Sequence, residues 1–227
     1  MADGFEIIPV IDLRHGQVVR ARAGDRASYA PIVTPLAKGS SPGAVAEGLL
    51  RAVGATLLYV ADLDAIVDGV PPDRASLAAI RAACPGVTLW VDAGFTESGG
   101  VEAFLAAGLG RPVIGSESQR DVSVVRALGD RAVFSLDTRG GERLGPAALH
   151  EEPEHWPRDV IVMTLGRVGV GAGPDLERLR ALRAASPATR LYAAGGVRGA
   201  QDVAALAALG IAGALVASAI HDGTLVA

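Results

Sequence analysis

The chain has 227 residues, of which 50% are hydrophobic and only 4% aromatic, with a formal net charge of -4. Such a core is filled by Val, Ile, Leu and Ala, as in a sheet buried on both faces, and the length is near the roughly 250 residues of one parallel barrel domain. No stretch concentrates Lys or Arg, which excludes the usual footprint of a nucleic-acid or anionic-membrane partner, and the single cysteine, Cys84, excludes an internal disulfide and a thiolate metal cluster and fits a reducing cytoplasm.

Residues 1–6 are short and acidic and lack the basic start and apolar stretch of a secretory signal. No apolar run approaches the roughly 18 residues of a membrane span. Short aliphatic runs then alternate with Ala-, Leu- and Arg-rich stretches of helical period, the pattern of βαβ units on a parallel sheet. In order the runs are residues 7–11, 57–61, 88–91, 112–115, 132–136, 160–164, 191–194 and 214–217. Helical stretches lie between them at 42–53, 74–83, 101–107, 175–185 and 200–209, several ending at a glycine such as Gly54, Gly108 or Gly210. Eight runs are the number a closed (β/α)8 barrel requires, so one TIM-barrel domain over residues 1–227 is expected. The long irregular piece, residues 21–41, reads either as a lid or as a disordered loop.

Internal similarity supports the barrel without any propensity scale. Leu89-Trp-Val-Asp-Ala-Gly-Phe95 aligns without gaps on Leu191-Tyr-Ala-Ala-Gly-Gly-Val197, and the same register brings Val113-Ile-Gly-Ser116 onto Leu215-Val-Ala-Ser218. Val10-Ile-Asp-Leu-Arg-His-Gly16 likewise matches Ser135-Leu-Asp-Thr-Arg-Gly-Gly141. Two related half-barrels are expected, with Asp12 and Asp137 at the ends of the first and fifth runs, facing each other across one mouth.

Active sites of this fold sit at the C-terminal ends of the strands. Opposed carboxylates there can act as an acid/base pair if their surroundings drive the pKa values apart. The bland alternative is that each caps its loop or pairs with Arg14 or Arg139. Gly195 and Gly196 after the seventh run, and Ser218 after the eighth, occupy the two loops where barrels often hold a phosphate, although a Gly-Gly pair can also be only a tight turn. Arg20 and Arg26 are the arginines nearest the first-strand loop and are candidates for a substrate anion. The other arginines read as solvated or ion-paired, His221-Asp222-Gly223 as a surface turn, and Trp90 and Trp156 as packing residues. A Schiff-base aldolase needs a lysine at a strand end, and Lys38, the single lysine, falls in a Gly/Ser/Pro-rich loop. A metal barrel needs several ligands at strand ends; no histidine lies in an aliphatic run, leaving Asp62, Asp64 and Asp92 as a conceivable Mg²⁺ set. No metal and no cofactor are expected.

Ile8-Pro-Val-Ile-Asp-Leu-x-x-Gly-x-Val-Val-Arg20, Leu136-Asp137, Thr164 and Ala194-Gly-Gly-Val-x-x-x-x-Asp-Val203 resemble the histidine-biosynthesis barrel family over nearly the whole chain. That family comprises the isomerase of phosphoribosylformimino aminoimidazole carboxamide ribotide (ProFAR) and the cyclase subunit of imidazole glycerol phosphate synthase. The resemblance implies a small phosphorylated sugar-like substrate and an Amadori rearrangement of an aminoaldose phosphate. It makes Asp12 the base that removes the C2 proton, Asp137 the acid that opens the ring, and Thr164 the residue holding substrate beside Asp137. Asp62, Asp92, Ser116 and Arg167 fall at further strand ends and are expected to contact substrate.

Departures accompany the resemblance. Asp92-Ala93-Gly94 stands where the family has a glycine triplet for a second phosphate, and Glu117 adds the same sign of charge. Arg167-Val168-Gly169-Val170 replaces the family's Arg-Asp-Gly-Thr, and the C-terminal helix is short. Gly24-x-Arg26-x-x-Tyr29-x-Pro31-Ile32 and Tyr59-Val-Ala-Asp-Leu-Asp64 are similar to a subgroup found beside genes for one-carbon carriers such as tetrahydromethanopterin. Three functions therefore stay open: ProFAR-type isomerisation, a divergent enzyme acting on a monophosphorylated substrate, and a barrel that binds phosphate ligands without turnover. The chain carries no signature of an oligomeric state.

Overall fold

Side chains alternate sides along a strand, so in a closed ring of strands every second residue faces the interior and the rest face the surrounding helices. The computed structural model, which describes residues 4–20 and 29–226, turns the eight aliphatic runs into eight parallel strands arranged in this way. They are β1 (Glu6–Arg14), β2 (Leu57–Asp62), β3 (Thr88–Asp92), β4 (Arg111–Gly115), β5 (Val133–Arg139), β6 (Asp159–Thr164), β7 (Arg190–Ala194) and β8 (Gly213–Val216). Each pairs with the next, and β1 closes the ring on β8 through Glu6 opposite Gly213 to Pro9 opposite Val216. The (β/α)8 barrel expected from the sequence is the fold.

β1 and β5 are longer than their aliphatic runs because each doubles back. Residues Gln17–Val19 pair antiparallel with β1, placing Val19 opposite Asp12, and Glu142–Arg143 pair antiparallel with β5 opposite Arg139 and Thr138. Both reversals use two residues of positive φ, His15 (50°) with Gly16 (71°) and Gly140 (59°) with Gly141 (88°), the backbone that a tight hairpin demands. The similarity of the two sequence motifs thus corresponds to a repeated strand-plus-hairpin unit.

Among the helices, α1 (Pro42–Val53) and α3 (Arg74–Ala83) match the sequence expectation at both ends. Pro42 opens α1 where its missing N–H costs nothing, and Gly54 closes it in the left-handed conformation. Val45, Leu49 and Leu50 of α1 and Leu77 and Ile80 of α3 share the outer core between helices and sheet. α4 (Ser98–Ala106), α7 (Leu176–Ala185) and α8 (Ala200–Ala208) complete the long helices. Four short ones, α2 (Leu63–Asp68), α5 (Ser123–Leu128), α6 (Ala147–Glu151) and α9 (Ser218–His221), are too brief to show a helical period.

One side chain from each strand fills the barrel interior: Ile8, Tyr59, Trp90, Val113, Val133, Ile161, Tyr192 and Leu215. Trp90 meets Tyr192 edge-on at 5.0 Å, joining β3 to β7. Both tryptophans therefore have the packing role expected, Trp156 in the outer core with its indole N–H donated to the Leu149 carbonyl. Toward the N-terminal ends of the strands, Asp159 takes Arg111 at 2.5 Å and Arg190 at 3.4 Å, and the Tyr192 hydroxyl donates to it at 3.3 Å. Among the described residues no helix is long and apolar enough to cross a membrane.

Leu49→Ala removes a fully buried side chain from the outer core and is expected to cost about 2–5 kcal/mol in urea unfolding. Val33→Ala, at a site 88% exposed, is expected to stay within about 0.5 kcal/mol of the parent.

Candidate active site

Strand parity carries the inner layer upward to the mouth. Two residues beyond Trp90 lies Asp92, and four beyond Ile8 and Val133 lie Asp12 and Asp137, so all three carboxylates emerge on the inside of the ring at its C-terminal end. All three line one cavity of about 650 Å³, together with Arg20, Tyr59 and Met163. Asp12 lies alongside Ala61 of β2 and opposite Val19 of the hairpin, and Asp137 lies alongside Met163 of β6.

Asp137 is only 5% exposed and is held from several sides. The Ser135 hydroxyl donates to Oδ1 at 2.6 Å. The Ser116 hydroxyl and the Glu117 N–H each reach Oδ2 at 3.3 Å, and the Asp137 N–H donates back to Ser116 Oγ at 2.9 Å. Burial is the main influence and raises the carboxyl pKa from 3.8 to about 7, with the charges of Asp92 and Glu117 pushing the same way against the Ser135 and Glu117 donors. A methyl group on Gly115 would stand 3.1 Å from Asp137 Oδ2 and 4.0 Å from Asp92 Oδ2, so a side chain at this position of β4 would press on the Asp137 carboxylate. Tyr59 sits among them, donating to Asp92 Oδ2 at 3.3 Å. Burial, then the charges of Asp92, Asp137 and Asp12, raise its pKa well above the usual value, so it remains a neutral donor.

The opposite part of the cavity wall is made by the loops after β7 and β8, where Gly195, Gly196 and Ser218 line the space. Gly195 and Gly196 have φ of 101° and 87°. A Cβ on Gly195 would lie 2.6 Å from the Thr164 carbonyl oxygen, and one on Gly196 2.2 Å from that of Gly173. The pair is therefore required both by backbone conformation and by the close approach of the loop after β6. Arg20 lines the cavity and pairs with Asp222 at 2.6 Å. His221, read from sequence as part of a surface turn, is instead 5% exposed and lines the cavity at the end of α9.

Other residues singled out from sequence occupy different places. Asp62 caps α2: its Oδ1 accepts from the Ala65 N–H at 3.2 Å and its Oδ2 from the Asp73 N–H at 2.6 Å, and it does not line the cavity. Ser116 is sealed beneath the mouth as a partner of Asp137. Arg167 donates to the carbonyls of Gly173 and Pro174, bracing the loop after β6. Thr164 ends β6 one residue past Met163, which lines the cavity while Thr164 does not, and its carbonyl supports Gly195. Arg26, and with it residues 21–28 of the irregular segment, lies outside the described residues. The part of that segment that is described packs back on the hairpin, with the Ile32 N–H donated to Val18, and Tyr29 and Ile32 line the cavity.

Three contributors to the site were not anticipated from sequence: Tyr59, His221 and Arg178. Arg178 reaches from the first turn of α7 to the Thr138 hydroxyl (2.7 Å) and to the carbonyls of Met163 (3.0 Å) and Leu136 (3.1 Å). It thereby ties the ends of β5 and β6 together on either side of Asp137. Spacing could have flagged only Tyr59, three residues before the end of β2. The group of His and carboxylates close enough to share a cation among the described residues is Glu152, Glu154 and His155, none of which lines the cavity. Asp62, Asp64 and Asp92 do not come together as such a group.

The raised pKa of Asp137 links folding to pH. The folded protein holds a proton that the unfolded chain releases above pH 3.8, so the associated stability is complete below that value and is lost as pH rises toward and through about 7. Asp137→Asn keeps the neutral form and is expected to flatten this slope, leaving the variant more stable than the parent at pH 8 by about 2–4 kcal/mol in urea titrations run from pH 4 to 8.

Comparison with known proteins agrees with this geometry. Residues 6–226 match the family model described as histidine biosynthesis protein. A 1-(5-phosphoribosyl)-5-((5-phosphoribosylamino)methylideneamino)imidazole-4-carboxamide isomerase of Halorhodospira halophila is 32% identical over 96% of this chain and 93% of its own length. The isomerases of the same name from Geotalea daltonii and Listeria innocua are 31% and 27% identical over 96% and 97% of this chain and 93% and 95% of theirs. A match that runs along the whole barrel, with two aspartates brought to a common mouth, leaves one conclusion: the chain belongs to the histidine-biosynthesis protein family.

Proposed function

We propose that this protein is an aldose-ketose isomerase that carries out an Amadori rearrangement on an aminoaldose phosphate, with ProFAR as the first substrate to test. The observation that carries the reading is a buried carboxyl held near pKa 7, Asp137, in the same cavity as the carboxylate of Asp12. A group with that pKa is half protonated at neutral pH and can give up a proton without a large energetic cost. In this reading Asp137 protonates the ring oxygen and the C1–O bond breaks, leaving a protonated imine. Asp12 then removes the C2 proton, the electrons form the C1–C2 double bond of an enolamine, and tautomerisation yields the ketose. Tyr59, kept neutral, donates to substrate oxygen or to Asp92. The loops after β7 and β8 hold the phosphate through backbone N–H groups, which Gly195 and Gly196 leave uncovered in the first of them, and through Ser218 in the second.

One observation favours a narrower substrate. Asp92 Oδ1 accepts the Gly94 N–H at 3.1 Å, so a carboxylate already takes a loop donor at the position where the family resemblance places a second phosphate. Glu117 lines the same part of the cavity, and two carboxylates there oppose an anion. A monophosphorylated substrate with a neutral or cationic far end fits this wall better, which agrees with the resemblance to the subgroup linked to one-carbon carriers.

The purified protein assayed with ProFAR separates these readings. Turnover at about 1 s⁻¹ or faster establishes histidine-pathway isomerisation. Asp12→Asn and Asp137→Asn are each then expected to lower kcat by about 100-fold or more, and the pH profile of the parent should fall on its alkaline side near pH 7. Thermal stabilisation by a sugar monophosphate, without product from ProFAR, supports the narrower substrate, and stabilisation without product from any aminoaldose phosphate marks a binding protein.

A further inference from the structure

His221 stands outside the acid/base pair, yet its setting is that of a ligand-binding group. It is 5% exposed, at the end of α9, and it lines the cavity beside the loops that carry Gly195, Gly196 and Ser218. Its Nδ1 lies 3.0 Å from the Thr34 hydroxyl. That hydroxyl also accepts the Leu36 N–H at 3.2 Å and keeps one proton of its own, which it can donate to Nδ1. In that arrangement the ring proton sits on Nε2.

No described residue is bonded to Nε2, and Nε2 is not one of the sealed unpaired atoms, which are Asp64 Oδ1 and Arg111 Nε. Nε2 is thus reachable from outside, and the open side of this residue is the cavity, where water or a ligand can pair with it. The charged groups around the ring are Arg20 and Asp222, themselves paired at 2.6 Å. Burial and the Arg20 charge hold the imidazole pKa down at about 4, so the ring is neutral at pH 7.

We propose that His221, fixed in its Nε2–H form by Thr34, donates a hydrogen bond to the anion held by the loops after β7 and β8 and so selects a phosphate at that end of the substrate. This rests on the phosphate reading of those loops. A neutral donor suits the position because it adds a directed bond without a second cation beside Arg20, and hydrogen bonds to charged acceptors are the stronger kind. Thr34 acts through His221 and is a positioning residue.

The test is long-range proton-nitrogen NMR of the histidine rings in the full-length protein, titrated with inorganic phosphate. The chain has four histidines, and His221→Gln assigns the signal. The expected result is an Nε2–H ring without phosphate and a saturable Nε2 shift with it, in step with the amides of Gly195 and Gly196. His221→Phe should weaken phosphate binding about tenfold or more, His221→Gln should recover part of the loss, and Thr34→Val should give mixed ring tautomers in a protein that keeps its histidine. An Nδ1–H ring in the parent overturns the proposal. Amide shifts at Gly195 and Gly196 with an unmoved His221 ring also overturn it while leaving the loop site standing. If phosphate moves neither, the loop reading fails and the proposal fails with it.

Discussion

The closed register between β1 and β8 is the constraint on which the site depends. Once Glu6 pairs with Gly213 and Pro9 with Val216, the ring has no free edge, and the inward or outward sense of every strand residue is set. Ile8 and Val133 point inward, so Asp12 and Asp137, an even number of residues beyond them, must also point inward, and at the open end. A slip of one residue in either strand would turn its aspartate toward the helices. The aromatic contact between Trp90 and Tyr192 and the ion pairs of Asp159 occupy the lower interior, leaving space for a ligand at the C-terminal mouth.

At that mouth the barrel sets charge against burial. The charges of Asp12, Asp92 and Asp137 all act on the buried Tyr59 hydroxyl at the floor of the cavity. Burial, with the charges of Asp92 and Glu117 acting the same way, raises the Asp137 pKa to about 7. Its surroundings are rigid: Ser116 and Ser135 grip the carboxylate, and Arg178 clamps the strand ends that flank it. The loops after β6 and β7 interlock through Gly195 and Gly196, so the other wall of the cavity is equally confined. The two parts of the mouth differ in chemistry: carboxylates with one raised pKa on one side, and on the other two glycine-bearing turns with a neutral imidazole.

The half-barrel repeat explains both the likeness and the difference of these walls. β1 and β5 have retained matching aspartates followed by matching hairpins. β3 and β7 have diverged at the corresponding place, where Asp92 stands against Ala194 and Gly94 against Gly196 in the sequence alignment. Two changes of residue type at a repeated position, Asp92 against Ala194 and Ala93 against Gly195, therefore put a carboxylate at one strand end where the other has a glycine pair.

Much of this was determined by the sequence alone. Eight aliphatic runs with helical stretches between them specify a parallel barrel, because only helices on the outside can bury such strands on both faces. The repeated motif places Asp12 and Asp137 at equivalent strand ends, and α1 and α3 are legible to the residue because Pro42, Gly54 and their apolar period are local signals. What tertiary structure decided is whatever depends on contacts distant in the chain. Asp62 resembles a site residue by position but is used up by the N–H groups of Ala65 and Asp73, and Ser116 is turned under Asp137 instead of toward a ligand. Arg178 and His221 have no motif, since one reaches its strands across 40 residues and the other meets Thr34 across 187. The pKa of Asp137 belongs to the same class: local sequence supplies the carboxyl, but only the closed barrel removes the water that would have kept it ionised.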